Sequence, residues 1–147
     1  MNGRKRHVLV DTGGLVLTAV VHPANIADRV GARTVLAKSR AQHPRLERVW
    51  VDAGYTGSLI PWAKQELDLT LTVVKRPSRW VRVAVDQEPA PMPTELTILP
   101  RRWVVERTFA WLGRSRRLSK DYEALAETEQ AWIHLAMIRL MVTRLVK

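Results

Sequence analysis

The chain has 147 residues, 46% of them hydrophobic, enough to bury the core of one domain and too few for two comfortable ones. Lys and Arg outnumber Asp and Glu by 24 to 14, for a net charge of +10, so a polyanionic partner is expected: DNA, RNA or an anionic membrane surface. No apolar run approaches the ~20 residues that cross a bilayer, and MNGRKRHVLV lacks the apolar core of a signal peptide, so no membrane partner and a cytoplasmic location are expected. Without cysteine there are no disulfides and no thiolate metal sites. The four histidines (His7, His22, His43, His134) show no ligand spacing along the chain, which leaves carboxylates to hold any metal.

In chain order, HVLV, DTGG and LVLTAVV predict a hairpin whose Gly-Gly pair supplies positive φ angles. The basic stretch Arg4 to His7 precedes its first strand and is read as a phosphate contact or a solvated start. The near-continuous apolar second arm predicts a strand covered on both faces. Asn25 to Arg40 is predicted helical, capped by Asp28, with an apolar stripe of Val30, Ala32, Val35 and Leu36. ERVWVDAGY predicts a third strand ending at a glycine turn. Ser58 then caps a helix with Pro61 in its first turn, and LTLTVVK predicts a fourth strand. Residues 77–100 carry five prolines (77, 89, 91, 93, 100) and predict an irregular connector. One long helix is predicted over RRWVVERTFAWLGRSRRLSK and another from Thr128, with Arg139, Thr143, Arg144 and Lys147 on one polar side. This order argues for a mixed sheet with helices against it.

Two carboxylates stand out. Asp52, in VDAGYTG, falls at the C-terminal end of a strand, where ligands gather in α/β sheets and a metal could be held; it could equally cap the following turn. Glu106 shares a helical line with Arg102, Ala110 and Gly113, so it could reach a metal while Arg102 contacts a phosphate. The plain alternative is an exposed i,i+4 ion pair. Arg114, Arg116, Arg117 and Lys120, with Arg102, are the DNA-binding candidates, and Trp103, Phe109 and Trp111, between Arg102 and Arg114, are expected to fill the core. Turn chemistry accounts for Asp11, and His22 and His134 are read as structural.

The order of these blocks resembles the DDE transposases of bacterial insertion sequences. GRKRHVLVDTGGLVLTAVVHPANIADRVGA is similar to that family's second and third strands and first helix. VDAGYTG is similar to its D-x-G-Y-x-G block and RRWVVERTFAWLGRSRRLSKDYE to its most specific block. The resemblance implies a ribonuclease-H-like α/β fold, here N-terminally truncated, forming a single partial catalytic domain over 1–147. It implies that Asp52 and Glu106 are the second and third catalytic, metal-holding carboxylates, with Arg102 in the R-x-x-x-E pair. The first catalytic aspartate is expected on a strand upstream of Met1. The wider signature departs at Leu99, where tyrosine is expected, and at Gly113, where lysine is expected; Arg114 is the nearest stand-in.

The implied activity is cleavage and strand transfer of DNA at transposon ends, assisted by two Mg2+ or Mn2+ ions. The implied partners are DNA and either an upstream transposase half, joined by frameshifting, or full-length transposase. Without the first aspartate the isolated chain is expected to be inactive. A non-catalytic DNA-binding or regulatory fragment is the alternative from another class, and a ribonuclease-H-like RNA nuclease is a third reading that fits the two blocks less well.

Overall fold

The computed structural model describes residues 3–74 and 103–146, so the predicted connector and Arg102 lie outside the described residues. The hairpin forms from β1 (Arg4–Val10) and β2 (Val16–Pro23), antiparallel, with His7 opposite Val20 and a register shift between Leu9 and Val10. Its turn is held by Asp11, whose Oδ1 accepts from the backbone N–H of Gly13 and of Leu15, both at 2.8 Å. Gly14 takes φ +86°, a conformation open to glycine at no steric cost.

The basic residues do not precede the first strand, as the sequence suggested, but belong to β1, and strand alternation sorts them onto two faces. Arg4 donates to the carbonyls of Glu123 and Ala124 at 2.8 and 2.7 Å, and Arg6 to Leu118 O at 2.8 Å and to the buried Glu129 carboxylate. On the other face, Lys5 bonds Asp28 at 2.9 Å and Ile26 O at 3.0 Å. These cations are thus fasteners between distant parts of the chain.

Five consecutive residues of β2, Thr18 to His22, are buried, because helices cover both of its faces as its apolar run predicted. Ala19 and Val21 pack with Ile133 and Met137 of α4 (Ala126–Leu145), while Thr18 and His22 meet α1 (Asp28–Gln42). Two details of α1 differ from expectation. Its N-cap is Ala27, because Asp28 is taken up by Lys5, and Val30 is 56% exposed while Gly31, Ala32, Val35, Leu36 and Ser39 form the buried face.

The third strand, β3 (Arg48–Val51), pairs in parallel with β4 (Thr70–Val73) across α2 (Leu59–Leu67). Their core joins Val49, Leu59, Ala63, Leu69 and Leu71 to Ala32 and Leu36 of α1. Ser58 occupies the N-cap of α2 without a side-chain cap bond. The expected single mixed sheet is, among the described residues, two separate two-stranded sheets with α1 packed on both.

The long predicted helix is also divided. It consists of α3 (Val104–Gly113) and, after an extended Ser115, a 3-10 turn at Arg116–Leu118. Gly113 is a poor helix former, and burial of Leu118 in the hairpin core draws the chain off the helical path. The N-cap of α4 is Leu125, three residues before the predicted Thr128. No helix among the described residues is long and apolar enough to cross a membrane.

Candidate active site

The two sheets do not meet: between β1 and β3 lies a cleft of about 970 Å3, floored by Ala32, Val35 and Leu36 of α1. The turn after β3 lines it, as does the first part of α3 with Val105, Glu106 and Phe109. Both candidate carboxylates, Asp52 and Glu106, border this one space.

Asp52 directly follows β3 and starts a 3-10 turn at Ala53–Tyr55, its Oδ1 accepting from Gly54 N–H at 2.8 Å. The turn-capping reading is therefore correct for one oxygen, and Oδ2 is left over for another donor or a cation. Glu106 stands exposed in the first turn of α3. Neither carboxylate joins an ion pair among the described residues. Their oxygens are the donor type that Mg2+ and Mn2+ prefer, yet no group of three or more possible metal-ligating side chains occurs among the described residues. The fit is thus partial: two candidate carboxylates border the cleft, and an ion there would need further ligands.

Sequence reading overlooked what holds the Asp52 turn. The Tyr55 hydroxyl lies 3.3 Å from His7 Nδ1, and the His7 ring stacks on His22 with centroids 4.6 Å apart. Burial and then the nearby Asp52 charge push the Tyr55 phenol up to about 12, so it stays protonated and can donate to His7. Burial and then His22 hold His7 below the usual histidine range. His22 Nδ1 lies 3.0 Å from Pro23 O; a carbonyl only accepts, so the ring proton sits on Nδ1 and the buried Nε2, which has no hydrogen-bond partner, is a bare lone pair when neutral. Both rings crowd Gly31, where a Cβ would lie 2.2 Å from His22 Nε2 and 2.9 Å from His7 Nε2. The signal was the hairpin register, which pairs Lys5 with His22 and His7 with Val20 and so places the two histidines diagonally on one face.

The basic candidates separate. Arg114 caps α3 and is exposed beside Gly113, at which a Cβ would meet nothing within 4 Å. Arg116 and Lys120 are exposed too. Arg117 pairs with Glu123 at 2.6 Å and lies 5.1 Å from the Trp132 ring, so part of its charge is spent within the fold.

The aromatics do not fill the core as expected, because the buried face of α3 is Val104, Thr108 and Leu112. Trp103 is 54% exposed and Phe109 37%. Arg107 sits 4.3 Å from the Trp103 ring and 4.8 Å from that of Trp111, which Arg144 approaches at 4.4 Å. Arg107 also donates to Gly13 O at 2.9 Å, and the buried Thr108 hydroxyl to Gly14 O at 2.6 Å. These bonds fix α3, and with it Glu106, to the hairpin turn.

Comparison with known proteins identifies the family. Residues 1–141 match the family model of the transposase DDE domain. A protein of Burkholderia cepacia named as a putative transposase for insertion sequence element IS402 is 27% identical over 142 residues, covering 90% of this chain and 60% of that protein. No solved structure gives a significant match. The chain spans 60% of that relative's length, and with a family match over nearly all of its own, it belongs to the transposase DDE-domain family.

Proposed function

We propose that the chain carries part of the catalytic site of a DNA-cleaving, strand-transferring transposase, with Asp52 and Glu106 as two of its metal-holding carboxylates. The observation that carries this reading is that these two residues, from separate elements, line one cleft. Asp52 and Glu106 would hold Mg2+ or Mn2+, which would supply charge stabilisation at the reacting phosphate and make water a better nucleophile. Asp52 contributes Oδ2 while Oδ1 keeps the turn in place. Arg102, Arg114, Arg116, Arg117 and Lys120 are the proposed phosphate contacts for DNA; Arg117, paired with Glu123, has the least charge to spare.

The remaining carboxylate comes, on this proposal, from a companion segment corresponding to the part of the relative that this chain does not cover. The two sheet edges bordering the cleft support this. Ala24 N–H donates to Gly3 O, and antiparallel alternation along the hairpin register then turns the backbone groups of Arg6 and Val8 away from β2. An extended strand pairing there would join both sheets into the mixed, ribonuclease-H-like sheet.

The test is Asp52→Ala and Glu106→Ala in protein carrying the companion segment. Each should abolish DNA cleavage while leaving DNA affinity intact or raised; normal cleavage by both variants would remove the assignment. A second reading, a regulatory fragment that binds DNA and pairs with full-length transposase, is favoured by the incomplete ligand set among the described residues. Inhibition of the full-length enzyme, unchanged by Asp52→Ala, would select it.

A further inference from the structure

One face of α4, with Ile133 and Met137, is buried against the hairpin. Its opposite side is also apolar but open: Leu135 is 53% exposed, Ile138 49%, Val142 52% and Leu145 85%. With the exposed Thr128 and Ala131, these positions step along the helix by three, four, three, four and three residues. That spacing is the a/d seam of a helix pair, with Thr128, Leu135 and Val142 at a and Ala131, Ile138 and Leu145 at d. The polar residues predicted for this end, Arg139, Thr143 and Arg144, are exposed as expected, but they flank the seam without interrupting it. A seam with strict heptad steps fits another helix, since knobs-into-holes packing needs that period on both sides.

Residue sizes identify which helix fits and in which direction. Thr128 and Ala131, at the N-terminal end, are small; Val142 and Leu145, at the other end, are large. Parallel pairing of two copies would set small against small and leave a void at one end. Antiparallel pairing about a two-fold axis between Leu135 and Ile138 sets Thr128 against Leu145, Ala131 against Val142 and Leu135 against Ile138, so volume is shared more evenly among the layers than in the parallel pair. Charge runs the same way: Glu127 lies in the first turn and Arg144 in the last, so antiparallel copies bring unlike ends and opposed helix dipoles together. We propose that α4 is a homodimer interface, on which a second copy of this chain docks its own α4 antiparallel.

Two measurements test this without reference to DNA cleavage. Sedimentation of the wild-type chain should show a reversible dimer at tens of micromolar concentration. Ile138→Glu, an exposed position where Glu suits a helix, should weaken association on the order of 100-fold with an unchanged circular dichroism spectrum. Because the chain has no cysteine, orientation can be read by cross-linking Ala131→Cys and Val142→Cys chains. The antiparallel pair predicts a disulfide in the mixture and none in either alone, since like positions would be about 16 Å apart along the axis, beyond the reach of a disulfide. Cross-linking of Val142→Cys with itself would overturn the orientation. A wild-type chain that stays monomeric would overturn the dimer and assign the seam to a helix of another protein.

Discussion

The two sheets of this protein are built to different standards. The β1–β2 hairpin is covered on both faces and fastened by side chains from far along the sequence: Arg4 and Arg6 reach the segment before α4 and α4 itself, and Thr108 and Arg107 of α3 reach its turn. The β3–β4 pair has short strands, leans on one apolar cluster with α1 and α2, and ends at a turn where Asp52 is exposed. The hairpin unit is thus the scaffold, and the second unit holds Asp52 exposed at its margin. Glu106 belongs to both, because the scaffold's turn anchors the helix that carries it to the cleft.

If that division is right, substitutions in the scaffold should unfold the chain, whereas those at the Asp52 turn should change binding and leave melting nearly untouched. The largest effect is expected for Glu129→Ala, which strips the buried partner from Arg6 and should cost about 3–5 kcal/mol in denaturant unfolding. Gly31→Ala comes next: the added methyl collides with His22 Nε2 and His7 Nε2, and overpacking of about 1–3 kcal/mol should exceed the ~1 kcal/mol gained in helix propensity. Thr108→Val leaves the Gly14 carbonyl without its buried hydroxyl donor, for a loss of about 1–2 kcal/mol.

A smaller effect should follow pH. His7 is held below its usual range, so as pH falls through the ordinary histidine value of about 6.5 the unfolded chain takes up the proton first and stability declines. Melting should therefore be lower at pH 5.5 than at pH 7.5, with His22, Lys5, Asp28 and Tyr55 as the surrounding groups. His7→Gln should flatten that slope. The least effect on melting belongs to Asp52→Asn, which keeps an oxygen for Gly54 N–H while removing the charge; a large loss of stability there would blur the distinction between scaffold and site.

Local pattern made much of this legible. The hairpin, the doubly covered β2, the strand before VDAGYTG and the terminal helix follow from composition and period, and the two carboxylates from their strand-end and helix positions. What the sequence concealed depended on partners distant along the chain. Arg4 to Arg6 read as a free basic cluster because Glu123, Ala124 and Glu129 lie more than a hundred residues away. Trp103 read as core because an arginine that can cover an exposed ring looks the same in sequence as one bound for solvent. His7 and His22 come together through register, which one-dimensional spacing does not display.

The central claim is that Asp52 and Glu106 serve one divalent-cation site, and Mn2+ binding followed by electron paramagnetic resonance tests it most directly. The account predicts weak, millimolar-range binding to the wild-type chain that Asp52→Asn and Glu106→Gln each abolish, without a change in fold. Binding that survives both substitutions, or no binding by the wild type in that range, would contradict it.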